Sequence, residues 1–145
     1  MVPGLYQSGE DYDAAEAASL GIGTIVDLSG RGRTPPAGVL YLHWPIEDAG
    51  LPDGATCERI VDLVVARLRG GGRVLVHCSM GLNRSGLVSA LAARALLGLT
   101  GAAAVERVRS ARGADALCNE AFACHLEALP APAGGGSARR VVPVR

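Results

Sequence analysis

The chain has no lysine, a single glutamine and only five aromatic residues (Tyr6, Tyr12, Tyr41, Trp44 and Phe122) among its 145 residues. It lacks an uninterrupted apolar run long enough to cross a bilayer, which excludes a membrane-spanning helix from the reading. Its four cysteines, Cys57, Cys78, Cys118 and Cys124, form no C-x-x-C pair. The spacing of a structural zinc site is therefore missing. Positive charge is also scarce where a polyanion binder would need it. Through Leu129 there are 11 arginines against 14 acids, whereas Arg139, Arg140 and Arg145 follow without an acid. A slightly acidic body argues against nucleic acid or an anionic membrane as the main partner. Met1-Val2-Pro3-Gly4 lacks a signal-peptide pattern, so the expectation is a cytoplasmic protein with reduced cysteines.

What is present is a globular composition, 49% hydrophobic and 19% charged. At this length the chain should form one domain with a real core. Leu5 to Ser8 reads as a short edge strand, and Asp11 to Leu20 as a helix stopped by Gly21. Thr24 to Leu28 is a β-branched strand bounded by glycines, and Val39 to Trp44 is another, ended by Pro45. Cys57, Ile60, Val61, Val64, Val65 and Leu68 make an apolar stripe at helical spacing, ended by Gly70-Gly71-Gly72. Val74 to Val76 is a strand, and Leu87 to Leu97 a helix. Two more helices are expected over Ala102 to Ala111 and Ala116 to Leu129. Alternating strands and helices imply an α/β fold with a central, largely parallel sheet of four to five strands, flanked by helices on both faces. Residues 1–129 would form this domain, and 130–145 a flexible Pro/Gly/Arg tail.

The stretch Val74 to Gly86 organises the rest. A strand stops at His77-Cys78, five residues lead to Arg84, and a helix follows. Ligands bind beyond the C-terminal ends of parallel strands, and His77-Cys78 lies at such an end. A free thiol is a poor nucleophile at neutral pH, but a helix N-terminus and a neighbouring cation activate it. Both are expected here, from the amides of Ser79 to Arg84 and from the Arg84 guanidinium. The same amides and helix dipole favour a tetrahedral dianion. Arg84 offers a planar fork for two phosphate oxygens, which lysine could not. Gly81 lets the turn close, and Gly86 lets the following helix pack tightly.

His77-Cys78-Ser79-Met80-Gly81-Leu82-Asn83-Arg84-Ser85-Gly86 resembles the H-C-x5-R-S/T-G signature of the cysteine-dependent protein tyrosine phosphatases. Residues 4 to 129 as a whole are similar to the small, dual-specificity-like branch of that superfamily. Gly4 to Gly9 and Leu20 to Leu28 look like its first βαβ portion. Trp44-Pro45-Ile46-Glu47-Asp48 looks like its general-acid loop, and Arg109 to Leu129 like its helical end.

The resemblance implies a phosphoric monoester hydrolase. Cys78 would attack phosphorus and form a cysteinyl phosphate, while Arg84 and the loop amides (Ser79, Met80, Gly81, Leu82, Asn83, Arg84) hold the phosphoryl oxygens. Asp48 would protonate the leaving oxygen and then act as base toward water. Glu47 and Asp53 are close enough in sequence to serve instead. Ser85 would donate a hydrogen bond to the departing thiolate, and His77 would brace the loop. No metal and no cofactor are implied, because Arg84 and the backbone supply the positive field. The expected partner is a phosphorylated protein or another phosphomonoester, acted on by a monomer; no nucleic acid or membrane is expected.

Three departures shape the reading. With Gln7 as the single glutamine, the water-positioning Gln loop of the larger tyrosine-specific enzymes is absent. The Arg31 to Gly38 loop is short and has no aromatic residue, which suggests a shallow pocket open to phosphoserine and phosphothreonine as well as phosphotyrosine. The loop interior, Ser-Met-Gly-Leu-Asn, has no cation, unlike the loops of inositol-lipid phosphatases. Asn83 within G-x-N-R resembles RNA 5′-triphosphatases of the same superfamily, one alternative; a pseudophosphatase that binds phosphoproteins without turnover is the other. Asn119 reads as a helix-end residue rather than a ligand.

Overall fold

Residues 1–133 are described by a computed structural model. In chain order they form β1 (Leu5–Ser8), α1 (Ala14–Ser19), β2 (Thr24–Asp27), β3 (Leu40–His43), α2 (Gly54–Arg69), β4 (Val74–His77), α3 (Arg84–Leu97), α4 (Gly101–Arg112) and α5 (Glu120–Glu127). The strands make one four-stranded sheet in the order β1-β4-β2-β3, with every pair parallel. The register sets Ser8, His77, Asp27 and His43 side by side. All four strands thus end level, and the loops that leave them share one edge.

The layering follows from side-chain alternation along the strands. Val26, Val74 and Val76 face α2 and α3 and join Ile60, Val64, Val65, Val88 and Ala92 in one core. Ile25 and Leu75 face the other way, onto Ala17 of α1 and Ile22. Helices therefore cover both faces, as expected. The central strands β2 and β4 are buried along their whole length, which suits their β-branched sequences. Beyond α3 a further layer, α4 and α5, closes around Phe122, Leu87, Val105, Val108 and Leu126. Each such fully buried side chain contributes about 1.5–3 kcal/mol relative to exposure.

Two helix starts fall later than the sequence expectation, both because of caps, while α3 and α4 begin slightly earlier, at Arg84 and Gly101. Asp13 accepts from Ala15 N (2.7 Å) and Glu16 N (3.1 Å), so α1 begins at Ala14 rather than Asp11. The last helix begins at Glu120 rather than Ala116, because Asn119 caps it through Phe122 N at 3.3 Å. Ahead of it residues 114–117 form a turn, with Leu117 at φ 58°. The expected tail, from residue 134 onward, lies outside the described residues. Among those residues no helix is long and apolar enough to cross a membrane.

Candidate active site

Between β4 and α3 the loop 78–83 is held from outside by its carbonyl groups. Glu10 N donates to Ser79 O (3.1 Å), and Arg112 Nη2 to Met80 O (3.5 Å). Gly81 O accepts from both Gln7 Nε2 (2.9 Å) and Arg112 Nε (3.0 Å), and Leu82 O from Leu117 N (3.1 Å). In a trans peptide the N–H points opposite to the C=O, and the chain has no cis peptide among its described residues. Four carbonyls pulled outward therefore turn the amides of Met80, Gly81, Leu82 and Asn83 inward. That is an anion nest.

The turn depends on Gly81. Its φ is +71°, and a Cβ there would meet Gly9 N and Ser8 C at 2.5 Å, both backbone atoms that cannot step aside. Gly86 answers to a different demand, since a Cβ on it would press on Leu117 at 3.1 Å. Both glycines thus stand where the sequence reading needs them.

Cys78 lies at the floor of the nest, 2% exposed, with its Sγ 3.3 Å from Ser85 Oγ. Ser85 is fully buried in the first turn of α3. Arg84 Nη1 donates to Ile46 O at 3.3 Å, while its buried Nε has no partner among the described residues. That bond brings the middle of the Trp44–Asp48 segment against the start of α3. Asp48 is reached from the loop itself: Asn83 Nδ2 donates to Asp48 Oδ2 at 3.1 Å, and Asn119 Nδ2 to Asp48 Oδ1 at 2.8 Å. Asp53, one of the two alternative acids, is occupied in capping α2 through Thr56 N (3.0 Å). Glu47 is exposed beside it, on the rim of a cleft with Pro45, Leu51 and Asp53.

Behind the loop, on the α1 face of the sheet, a polar group fills the ends of β2 and β4. His77 and Asp27 are register partners, both fully buried, with His77 Nε2 at 3.5 Å from Asp27 Oδ1. Among the described residues neither ring nitrogen has a geometrically sound hydrogen bond, so the contact with Asp27 is electrostatic only. Asp27 Oδ1 accepts from Ser29 N (2.8 Å) and Ser29 Oγ (2.6 Å), and Oδ2 from Tyr41 OH. Burial works to raise the Asp27 carboxyl pKa, but the bonds from Ser29 and Tyr41 outweigh it and hold the group below its ordinary value. Burial lowers the His77 pKa more than the Asp27 charge raises it, which keeps the ring neutral. Burial and the bond to Asp27 push the Tyr41 hydroxyl up to about 12. Tyr12 tilts against the His77 ring at 5.0 Å, and the Arg33 guanidinium lies 4.6 Å over Tyr12.

The sequence reading assembled Cys78, Ser79 to Gly86 and Asp48, and the structure brings them together. It did not assign Gln7, Glu10, Arg112 and Leu117 to the loop, nor Asn119 to Asp48. One signal was available, since Gln7 lies next to the end of a strand expected at the sheet edge. Arg112 and Asn119 arrive from elements whose docking no local pattern encodes. Among the described residues no three His, Cys, Asp or Glu side chains gather in a group able to hold a metal ion.

Known proteins share this fold. Human DUSP28 superposes with a TM-score of 0.76 at 28% identity, covering 87% of this chain and 92% of that one. A structure of kinase-associated phosphatase, with its catalytic-site cysteine replaced by serine, superposes with a TM-score of 0.70 at 30% identity, covering 79% and 71%. In sequence, human cyclin-dependent kinase inhibitor 3 is 36% identical over 90 residues, and the mouse protein 31% over 80. Those matches span 54% and 55% of this chain but only 42% and 38% of the relatives. The family model described as "Polymorphic toxin system, DSP-PTPase phosphatase" matches residues 5–98, more than half of the chain. The chain belongs to that family, within the dual-specificity-like branch of the cysteine-dependent phosphatases.

Proposed function

We propose that the chain hydrolyses phosphomonoesters through a cysteinyl-phosphate intermediate. The observation that carries the reading is the nest itself: inward amides over a buried Cys78, with Arg84 and Ser85 adjoining and Asp48 tethered to the rim. In the first step the Cys78 sulfur attacks phosphorus and the bond to the leaving oxygen breaks. Asp48 gives that oxygen its proton. The amides of Met80 to Asn83 and the Arg84 fork hold the equatorial oxygens, whose charge they meet without reorganisation. In the second step water attacks phosphorus, its proton passes to the Asp48 carboxylate, and the S–P bond breaks. Ser85, 3.3 Å from the sulfur, donates to the thiolate as it departs. Ester and water become alcohol and phosphate, and both protein groups return to their starting states.

Phosphorylated protein is the substrate class we favour, with phosphotyrosine, phosphoserine and phosphothreonine all admitted. The short Arg31 to Gly38 segment supports a shallow approach, and the uncharged loop interior speaks against polyphosphorylated lipids. The relatives' names, a cyclin-dependent kinase inhibitor and a kinase-associated phosphatase, point to protein partners for those proteins, which supports the same class here. The family's description supports a setting in a polymorphic toxin system.

The test is phosphate release from an aryl phosphate, a phosphopeptide set and 5′-triphosphorylated RNA by the wild type and Cys78→Ser. Turnover of aryl phosphate and phosphopeptides is expected, and Cys78→Ser should lose about 10⁴-fold or more, the scale on which an enzymatic nucleophile acts. No wild-type turnover, with tight phosphopeptide binding by both proteins, would mean a binding domain. A strong preference for RNA would replace the substrate class.

A further inference from the structure

Asn83 stands at the N-cap of α3, where a carboxamide ordinarily accepts from an amide of the first turn. It makes no such bond. A capping residue has extended backbone, whereas Asn83 sits at φ −99°, ψ −63°, in the helical region. Its side chain is engaged elsewhere. Nδ2 donates to Asp48 Oδ2 at 3.1 Å, and Oδ1 accepts from Asn119 N at 2.9 Å. Asn119 Nδ2 in turn donates to Asp48 Oδ1 at 2.8 Å and to Ala49 O at 3.0 Å. Its own Oδ1 caps α5. Each oxygen of one exposed carboxylate is thus held by one amide, and the two amides come from different elements.

We propose that Asn83 and Asn119 are positioning residues that clamp Asp48 at the rim of the phosphate loop, ready to meet the leaving oxygen. The proposal rests on Asp48 being the proton donor. Its segment lies between Pro45 and Pro52 without regular structure, and an untethered side chain there would lose rotamer entropy on reaching the substrate. The clamp removes that loss in advance, which is the gain from holding a catalytic group in place. Amides suit the task better than cations. A protonated carboxyl still has lone pairs for two amide donors, so the tethers persist as Asp48 alternates between acid and base. Amide donors also favour the ionised form, but a lysine or arginine in the same place would favour it more strongly and oppose proton donation further. The absence of a first-turn cap also follows, since an inward-turned Asn83 side chain would compete with phosphate for the amides.

The test compares kcat/KM for phenyl phosphate, a poor leaving group, with that for para-nitrophenyl phosphate, a good one, in the wild type, Asp48→Asn, Asn83→Ala and Asn119→Ser. Serine is itself a good N-cap, so Asn119→Ser keeps the start of α5 while losing the reach to Asp48. Both asparagine variants should lose about 10-fold on phenyl phosphate and less than about 3-fold on the nitrophenyl ester, a fraction of the ~10²–10⁴ available from a positioned acid. Asn83→Ala added to Asp48→Asn should cost nothing further. Equal losses on both esters, or additive losses in the double variant, would overturn the clamp. A steep leaving-group dependence in Asp48→Asn with flat asparagine variants would also overturn it, while leaving the proton donor in place. Wild-type dependence in Asp48→Asn would overturn the donor assignment instead.

Discussion

Asp27 and Asp48 are both carboxylates held through both oxygens near the same loop, yet they differ in nearly every consequence. Asp27 is fully buried behind the strand ends and is satisfied by Ser29 and Tyr41. Asp48 is exposed at the rim and takes amide donors from Asn83 and Asn119. Burial makes the first a matter of stability, because its removal strands several donors without water. Exposure leaves the second little to contribute to stability, because solvent replaces any partner it loses. One acid thus satisfies donors at the strand ends behind the loop, and the other, in our proposal, serves the loop.

The comparison can be broken first at Asp27. Asp27→Ala leaves the Ser29 and Tyr41 donors unpaired in the interior, and urea unfolding should show a loss of about 3 kcal/mol. A loss no greater than that of an exposed acid would erase the distinction. Asp48→Ala is the mirror experiment: an unchanged urea midpoint, with hydrolysis of phenyl phosphate about 10²-fold slower. A lowered midpoint there would give Asp48 a structural share.

Gly81→Ala tests the ground between the two acids. The new Cβ meets backbone at 2.5 Å in a left-handed conformation, so the loop must shift. Stability should fall by about 2 kcal/mol, within the range for such strain, and activity should fall further than stability accounts for. A fully active, equally stable variant would show that the turn has room.

The smallest effect is the pH dependence of the buried group. Burial holds the His77 pKa below its ordinary 6.5, so the unfolded chain takes up a proton that the folded chain resists. The stability this contributes is complete above about pH 6.5 and is lost as pH falls toward the folded value, with a slope below about 1.4 kcal/mol per pH unit. Asp27, also held below its ordinary 3.8, adds stability above that pH which is lost as pH falls through its folded value. Urea midpoints between pH 7.5 and 5 should decline below 6.5, and a His77→Asn variant should flatten the decline. A wild type indifferent to pH in that window would mean that His77 takes up its proton alike in the folded and unfolded chains.

The residues that were legible in the sequence are those whose role is local. Cys78 to Gly86 is a contiguous strand end, turn and helix start, and its likeness to the family signature is visible in the residues themselves. β2 and β4 announced themselves by β-branched runs, and α2 by its stripe ending in three glycines. What escaped was set by docking. Arg112 reaches Gly81 from the end of α4, and Asn119 looked like an ordinary helix cap, which it also is. The start of the last helix escaped for a related reason. Alanine-rich sequence from Ala116 favours a helix, but Leu117 is committed to Leu82 O and to the flank of Gly86. Tertiary contacts overrode propensity there.

Arg112, Leu117 and Asn119 also set a limit on how the molecule can be divided. The family match stops at residue 98, where the strand, loop and α3 are already complete. A fragment cut at that point would keep Cys78 and Arg84 but leave Met80 O and Leu82 O without their outward donors. It would also bare the face of α3 that carries Leu87 and Ala90. The structural support of the loop therefore extends beyond its recognisable signature, and grafting the H-C-x5-R segment onto another α/β sheet would transfer the residues without the forces that turn their amides inward.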